Sequence, residues 1–517
     1  MIRGQELMSC RLTLWCLFFT GCIINYMLKI CVNLAIVAMV IPRIIEPVYS
    51  QCNSHNSSSN ITQYITPTTH TLPLNITSEG RFNWTEYEQG LALGAFYWSY
   101  WITNVPGGLL VRRYGTKIVF GSANFLACLI VSLIPSMIKY HLYAFLAIRV
   151  LQGAVMGVVL PSMHGMTAKW IPPYERSRFV SAYMGGTVGT AITYFFSAVI
   201  IYYFNWEMVF YTISVIGAIW YCFWLYFAYD SPQEHPRISK AELKYIMDNI
   251  PETTNNEKKK MIPWRQILTS VPFWVSIIAN WGPSWAYLTI LAQGPTYFSF
   301  IHGWDINTTG IVTGVPHLLS MIFAYSWGAF CDWLLKTNKM SRTAIRKLSL
   351  SLIPALQTIF FFGLSLSGCH SNLAAFCMIV GTTLIGGPGS GILANLVDLS
   401  PNYASLLLGI CGLVTNFAGV LSPLIVGILT NENQTIGQWR FLFLITSACI
   451  GMSSIIYFIW GTADEQTWNN VKGYDNKESI GDEELQKLKE AQHQVIKCKT
   501  DHEKKEFQKQ QNNKSTT

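Results

Sequence analysis

Three stretches of the chain, residues 180–206, 208–229 and 349–397, contain no Asp, Glu, Lys or Arg. A water-exposed fold needs polar surface at much shorter intervals, whereas a helix crossing a bilayer needs about 20 predominantly apolar residues. The charge that exists is unevenly placed. Of 36 Lys and Arg and 28 Asp and Glu, 10 and 11 fall within residues 462–517. The whole chain is 12% charged, against about 25% for a soluble domain. A string of soluble domains is therefore excluded, and the chain reads as an all-α, polytopic membrane protein.

Apolar runs of spanning length occur at 13–41, 89–111, 117–137, 142–165, 180–203, 208–229, 272–299, 309–331, 348–367, 372–396, 403–429 and 438–460. The first, from about Leu12 to Pro42, is too long for a signal-peptide core and reads as a retained span. The expected organisation is an N-tail at 1–12, a six-helix half at 13–229 with an external loop at 42–88, and a linker at 230–271. A second six-helix half follows at 272–460, then a polar, partly disordered tail at 461–517. The thirteen cysteines form no CxxC and no cluster with His, so neither a zinc centre nor any other metal or cofactor site is expected. The net charge of +8 calls for no nucleic acid, because basic residues collect on the cytoplasmic side of membrane proteins.

That rule sets the orientation. With the N-terminus inside, 30 of the 36 basic residues fall on inner loops and tails, and only Arg43, Arg81, Lys139 and Arg440 outside. Six N-x-[ST] sequons, at Asn56, Asn60, Asn75, Asn83, Asn307 and Asn433, then all lie outside as expected glycosylation sites. Both termini are expected in the cytoplasm. Cys52 and Cys369 share the outer side, where a disulfide and two free thiols are equally open readings.

The loop after the second span, Gly108-Leu-Leu-Val-Arg112-Arg113-Tyr-Gly115-Thr-Lys117, is echoed after the eighth by Gly328-Ala-Phe-Cys-Asp332-Trp and a basic run through Lys336, Arg342 and Lys347. Corresponding loops in the two halves imply parallel repeats with a binding site between them near the midplane. The loop resembles the signature of the major facilitator superfamily. Arg112 replaces the acid usual there, which places a charge-relay role in doubt in the first half, while Asp332 keeps the acid in the second.

Two basic residues fall inside spans. Lys29 sits midway along the first, and Arg149 lies about 10 Å into the fourth at 1.5 Å per residue. No acid stands at comparable depth. Snorkelling or capping by backbone carbonyls is the plain reading, but a mid-span position makes snorkelling awkward. The sharper reading is a cavity whose positive lining is completed by a small anion, gripped as a fork by Arg149 and as a point charge by Lys29. Gln152 shares the Arg149 face. Tyr97 and Trp285 are aromatic candidates, although packing and interface anchoring explain most aromatics in such spans. His164 and His317 read more readily as structural hydrogen-bonders than as proton relays. The run Gly386-Gly387-Pro388-Gly389-Ser390-Gly391 lacks the ending of a phosphate loop and reads as a flexible helix. No Ser/His/Asp set or acid pair converges, so an enzyme is not expected.

Several segments together carry a family resemblance across about 20–468. They are Asn25-Tyr26-Met-Leu-Lys29, Leu93-Gly94-Ala-Phe-Tyr-Trp98 through Pro106-Gly107-Gly108, Arg149 to His164, and Trp170-Ile-Pro172-Pro173-Tyr-Glu175-Arg176-Ser177-Arg178. The second half adds Ser284-Trp285, Pro295-Thr296-Tyr297, Asn402-Tyr403-Ala404 and Pro423. The chain resembles the anion:cation symporters of that superfamily, which include sialin, the vesicular glutamate transporters and type I sodium-phosphate cotransporters, and is nearest to their insect inorganic-phosphate branch. The resemblance implies rocker-switch transport of an anion.

Three departures bear on mechanism. Lys29 stands where the family has Arg, so charge survives without the bidentate fork. Met156 replaces a Glu implicated in proton coupling, and Pro283 replaces an Arg found just before Ser-Trp in the glutamate transporters. The expectation is sodium-coupled uptake of an anion, phosphate before organic anions, by a carrier acting as a monomer in the plasma membrane. Asn104, Thr187 and Asn416 are the polar candidates for the sodium. The alternatives are a proton-coupled or facilitated carrier of sialate-like anions, and a degenerate receptor or anion channel.

Overall fold

Apolar runs of this length satisfy their backbone polar groups within the segment only as helices. The computed structural model describes residues 9–41, 81–172, 175, 179, 181–250, 262–431 and 434–469. Among them are twelve long helical segments: α1 (Cys10–Met39), α2 (Glu86–Tyr114), α3 (Thr116–Tyr140), α4 (Leu142–Met156, continued by Val159–Trp170), α5 (Gly185–Tyr203) and α6 (Trp206–Phe227). The second set is α7 (Val271–Thr296), α8 (Ile306–Lys336), α9 (Ile353–Leu366), α10 (Ser371–Thr383, continued by Gly386–Leu399), α11 (Ala404–Thr430) and α12 (Ile436–Trp460). All belong to one compact unit ending at Asp464, and a second unit begins at Glu465.

Ten of the twelve are long and apolar enough to cross a membrane, α2 and α7 being the exceptions. These two carry Gly, Pro, Asn, Trp and Tyr in their middle turns. They pack on other helices across the middle of the bundle, α2 on α11 and α7 on α1, α11 and α12.

Local sequence sets where the helices start. Ser9 caps α1, accepting from Leu12 N at 3.3 Å. Thr85 and Glu88 form a reciprocal capping box at α2, with Glu88 N to Thr85 Oγ1 at 3.1 Å and Thr85 N to Glu88 Oε2 at 2.8 Å. Asp305 accepts from the backbone of Asn307 and Thr308 at α8. Among the described residues the one β contact is a bridge between Val40 and Phe82, which brings the end of α1 beside the start of α2. The two faces of the bundle are called here the Arg11 end and the Phe82 end.

At the Arg11 end, Arg11 on α1 pairs with Glu175 and, at 3.1 Å, with Glu242 on the short helix Lys240–Asn249. Glu242 also accepts from Cys10 N at 3.0 Å, placing a carboxylate at the positive end of the α1 dipole. Gly115, at φ +82°, makes the turn from α2 to α3, where a side chain would meet the Asp230 carboxylate. Asp230 accepts from Lys117 N at 2.8 Å, so an acid from the end of α6 serves the loop that lacks one at residue 112. In the repeat, Asp332 is exposed and makes no ion pair among the described residues. Arg346 instead pairs with Asp398 of α10 at 2.8 Å. The acid paired with the basic loop of the second half thus comes from α10.

Asn83 and Asn307 both lie at the Phe82 end, beside the starts of α2 and α8; Asn56, Asn60, Asn75 and Asn433 are outside the described residues. Cys369, between α9 and α10, is disulfide-bonded, and Cys52 also lies outside the described residues. Helices α1–α6 and α7–α12 pack as two sets joined along two seams, α2 on α11 and α5 on α8. Toward the Phe82 end both seams are close. A Cβ on Gly90 would lie 2.4 Å from the Pro423 carbonyl oxygen, and one on Gly310 2.6 Å from Ala198 Cβ. Toward the Arg11 end the α2/α11 seam loosens: nothing stands within 4 Å of a Cβ placed on Gly108 of α2 or on Gly409 of α11. Tyr325 still reaches Ser181 there by a hydrogen bond.

Candidate functional site

Lys29 and Arg149 are among the most enclosed charged groups in the bundle, 8% and 1% exposed. Four rings surround the Lys29 ammonium, with centres 4.6 Å away for Tyr100, 4.9 Å for Tyr97 and 5.4 Å for both Phe96 and Tyr26. Helical spacing explains the arrangement: Phe96, Tyr97 and Tyr100 share one turn of α2, and Tyr26 lies one turn before Lys29 on α1. Arg149 also lies by the Phe96 ring, its guanidinium carbon 5.2 Å from the ring centre. Its Nη1 donates to Gln152 Oε1 at 2.6 Å, and Gln152 Nε2 donates to the Leu28 carbonyl of α1 at 2.7 Å. Gln152 thus ties the arginine to the backbone one residue before Lys29. Arg149 Nε has no partner.

The energetics of this pair are unbalanced. A cation–π contact contributes about 0.5–2 kcal/mol. Withdrawing an ammonium or guanidinium from water costs several kcal/mol each, and an unpaired charge left buried is strongly destabilising. None of the ion pairs among the described residues includes Lys29 or Arg149. The rings orient and partly stabilise the two cations without neutralising them.

The wall opposite is built by α5, α7 and α8. Pro295 has no N–H to return to the carbonyl four residues back, which is that of Leu291 on α7. That oxygen accepts instead from Asn33 Nδ2 of α1 at 2.8 Å and from the Tyr194 hydroxyl of α5 at 2.5 Å. The Tyr194 ring stacks on His317 of α8 at 5.9 Å and 14°. The Tyr287 ring meets the same histidine edge-on at 5.7 Å, and its hydroxyl bonds to Thr190 of α5. His317 is therefore held in the wall by ring contacts, and no hydrogen bond of its ring occurs among the described residues. His164 bonds weakly to the Tyr183 hydroxyl, at 3.4 Å.

The structure brings together Lys29, Tyr97, Arg149 and Gln152. Trp285 is buried on α7 with its ring 5.4 Å from Trp281 and its indole N–H unpaired, and among the described residues it makes no ring contact with Tyr26, Phe96, Tyr97 or Tyr100 and no cation–π contact with Lys29. The amides of Asn104 and Asn416 donate to carbonyls on their own helices, Tyr100 at 3.0 Å and Gly412 at 2.8 Å. Thr187 is half-buried on α5. Sequence reading missed Tyr26, Phe96, Tyr100 and Asn33 as members of the site. The spacing of Phe96 and Tyr100 to Tyr97 was a usable signal for two of them; nothing in the sequence pointed to Asn33.

Residues 18–404 match the family described as Major Facilitator Superfamily. The chain is 34% identical over 433 residues to vesicular glutamate transporter 3 of Danio rerio, covering 83% of this chain and 72% of that one. It is 35% identical over 408 residues to vesicular glutamate transporter 1 of Bos taurus, covering 78% and 72%. It is also 33% identical over 397 residues to vesicular glutamate transporter 2 of Homo sapiens, covering 76% and 68%. Among solved structures, a bacterial homologue of the human lysosomal transporter spinster, inward-facing and occupied, superposes with a TM-score of 0.62 at 10% identity, over 88% of this chain and 97% of that one. The D-xylose–proton symporter gives 0.58 at 12% identity, over 88% and 99%.

Proposed function

The chain belongs to the Major Facilitator Superfamily, and on that premise we propose that this membrane transporter, a carrier and not an enzyme, moves a small anion by alternating access. The observation that carries the reading is the pair Lys29 and Arg149, enclosed between α1, α2 and α4 with no carboxylate paired to either among the described residues. An anion entering between them converts two costly buried charges into charge-assisted hydrogen bonds. Affinity for the anion thus arises from relief of a strained empty site.

Phosphate is the first substrate to test, because its oxygens can take both the arginine fork and the ammonium. A carboxylate is the second reading, favoured by relatives named as vesicular glutamate transporters. Coupling to sodium fits a site with Met156, rather than an acid, one turn beyond Gln152. Asn104 on α2 and Asn416 on α11 keep their amide oxygens as acceptors, since only the amide N–H groups are engaged by their own helices; these oxygens, with Thr187, are the proposed ligands.

In this reading the Arg11 end faces the cytoplasm, following the distribution of basic loops, and the looser α2/α11 seam at that end fits an inward-open state. The two six-helix sets then rock about the site as the halves 13–229 and 272–460. The plasma membrane is the proposed location, set against relatives named for vesicles. The deciding experiment is uptake of radiolabelled phosphate and of radiolabelled glutamate into proteoliposomes, with and without a sodium gradient and with a pH step. Saturable, sodium-dependent phosphate uptake is the expected result. Uptake that follows the pH step and ignores sodium overturns the coupling, and non-saturating current overturns the carrier.

A further inference from the structure

Outside the central site, a groove of about 730 Å3 runs along the outer wall between α1 and α6. Its floor is apolar, with Cys16, Ile24, Ile216, Ile219 and Phe223 among its walls, and Arg237 and His235 stand at its mouth. Along α1 it extends from Cys10 to Ile24, about 21 Å at 1.5 Å per residue, enough to cross the hydrocarbon of one leaflet at about 15 Å. Ile219 and Phe223 are more than half exposed, and on the outer wall of a membrane-spanning bundle the phase that meets them is lipid. The Arg237 guanidinium is exposed and held over the Tyr226 ring at 3.9 Å, with Phe227 at 5.5 Å. No described carboxylate pairs with it. Stacking leaves the edge N–H groups of such a guanidinium free to donate.

We propose that this groove is a site for an anionic phospholipid of the leaflet at the Arg11 end, with one acyl chain lying between α1 and α6 and the phosphate-bearing headgroup on Arg237. The apolar slot alone takes any acyl chain, so selectivity for negative charge resides in the arginine. The site is separate from Lys29 and Arg149, and a bound lipid here acts on the wall formed by α1, the helix that carries Lys29.

The test is native mass spectrometry of the full chain equilibrated with phosphatidylserine and phosphatidylcholine in equal amounts. The wild-type protein is expected to retain phosphatidylserine over phosphatidylcholine by about fivefold, the effect of one basic residue at a membrane surface. Arg237→Gln should retain both lipids equally, and Arg237→Lys should keep the preference. Cys16→Phe, which fills the slot, should lose both. Equal retention by the wild-type protein, an unchanged preference in Arg237→Gln, or retention of neither lipid overturns the proposal. So does displacement of phosphatidylserine by excess inorganic phosphate, which would make this a free-anion site.

Discussion

Asn33 on α1 donates to the carbonyl of Leu291 on α7, 2.8 Å away, and the carbonyl is available because Pro295 has no N–H to offer it. Tyr194 on α5 donates to the same oxygen. A carbonyl in one half of the molecule is thus held by two side chains of the other half. Both seams are closed toward the Phe82 end of the bundle, so the clasp has to break if that end is to open.

Removing one donor should therefore shift the carrier toward the state open at the Phe82 end. A neutral hydrogen bond contributes about 1 kcal/mol net, or about a fivefold change in population. Site-resolved maleimide labelling of Ala198→Cys, buried in the α5/α8 seam, should rise by about that factor in Asn33→Ala or Tyr194→Phe. Unchanged labelling in both would show that the clasp does not hold the seam.

Arg149→Lys keeps the charge but loses the fork and the bond to Gln152, and transport should fall at least tenfold; Arg149→Ala should abolish it. Gln152→Ala leaves the arginine in place without its tie to Leu28. Losing that bond, at about 1–1.5 kcal/mol, should raise KM for the anion about five- to tenfold while kcat changes less. Concentration-dependent uptake separates the two outcomes, and wild-type kinetics in Arg149→Ala would remove it from the site.

Lys29 is expected to trade stability for function. Replacing an unpaired buried ammonium with an apolar side chain of similar length removes a desolvation cost of several kcal/mol. Lys29→Met should accordingly unfold at a higher temperature than the wild type when no anion is present. Its stabilisation by added phosphate should vanish with transport, whereas Lys29→Arg should keep both. A lower Tm in Lys29→Met would mean that the ammonium is already neutralised in the empty carrier.

Asp305 offers a test at the surface. Burial pushes its carboxyl pKa up, but the Thr308 hydroxyl and the backbone N–H groups at the start of α8 outweigh this and hold it below the usual value. A carboxyl depressed on folding contributes stability above its unfolded pKa of about 4 and loses it as pH falls through the lower folded value. Asp305→Ala should cost about 1 kcal/mol at neutral pH, the usual loss for an N-cap, and the gap from wild type should narrow as pH falls through the depressed folded pKa. Thermal unfolding of the two proteins across pH 2–7 reads both effects.

Much of the architecture was legible in the sequence, because membrane insertion depends on hydropathy summed along each segment. The runs 89–111 and 272–299 read as spans by apolar length, although the helices that form there, Glu86–Tyr114 and Val271–Thr296, are not among the ten long and apolar enough to cross a membrane. The candidate site was legible in part. Lys29 and Arg149 stood out through the cost of burying charge, and Gln152 through helical spacing. The ion pair at the second loop was not legible, because Asp398, the acid that pairs with Arg346, comes from a helix more than fifty residues further on.

The sequence by itself determined that this chain spans a membrane as helices and that its two mid-span charges are both positive. Each of these is a property of a residue and its near neighbours along the chain. Only the tertiary structure decided that Tyr26, Phe96, Tyr97 and Tyr100 close around Lys29, and that Asn33 and Tyr194 answer the Leu291 carbonyl. Those contacts depend on which helices pack together and at what rotation. That is settled by the fit of whole surfaces, including the glycine approaches at Gly90 and Gly310, which no local stretch of sequence encodes.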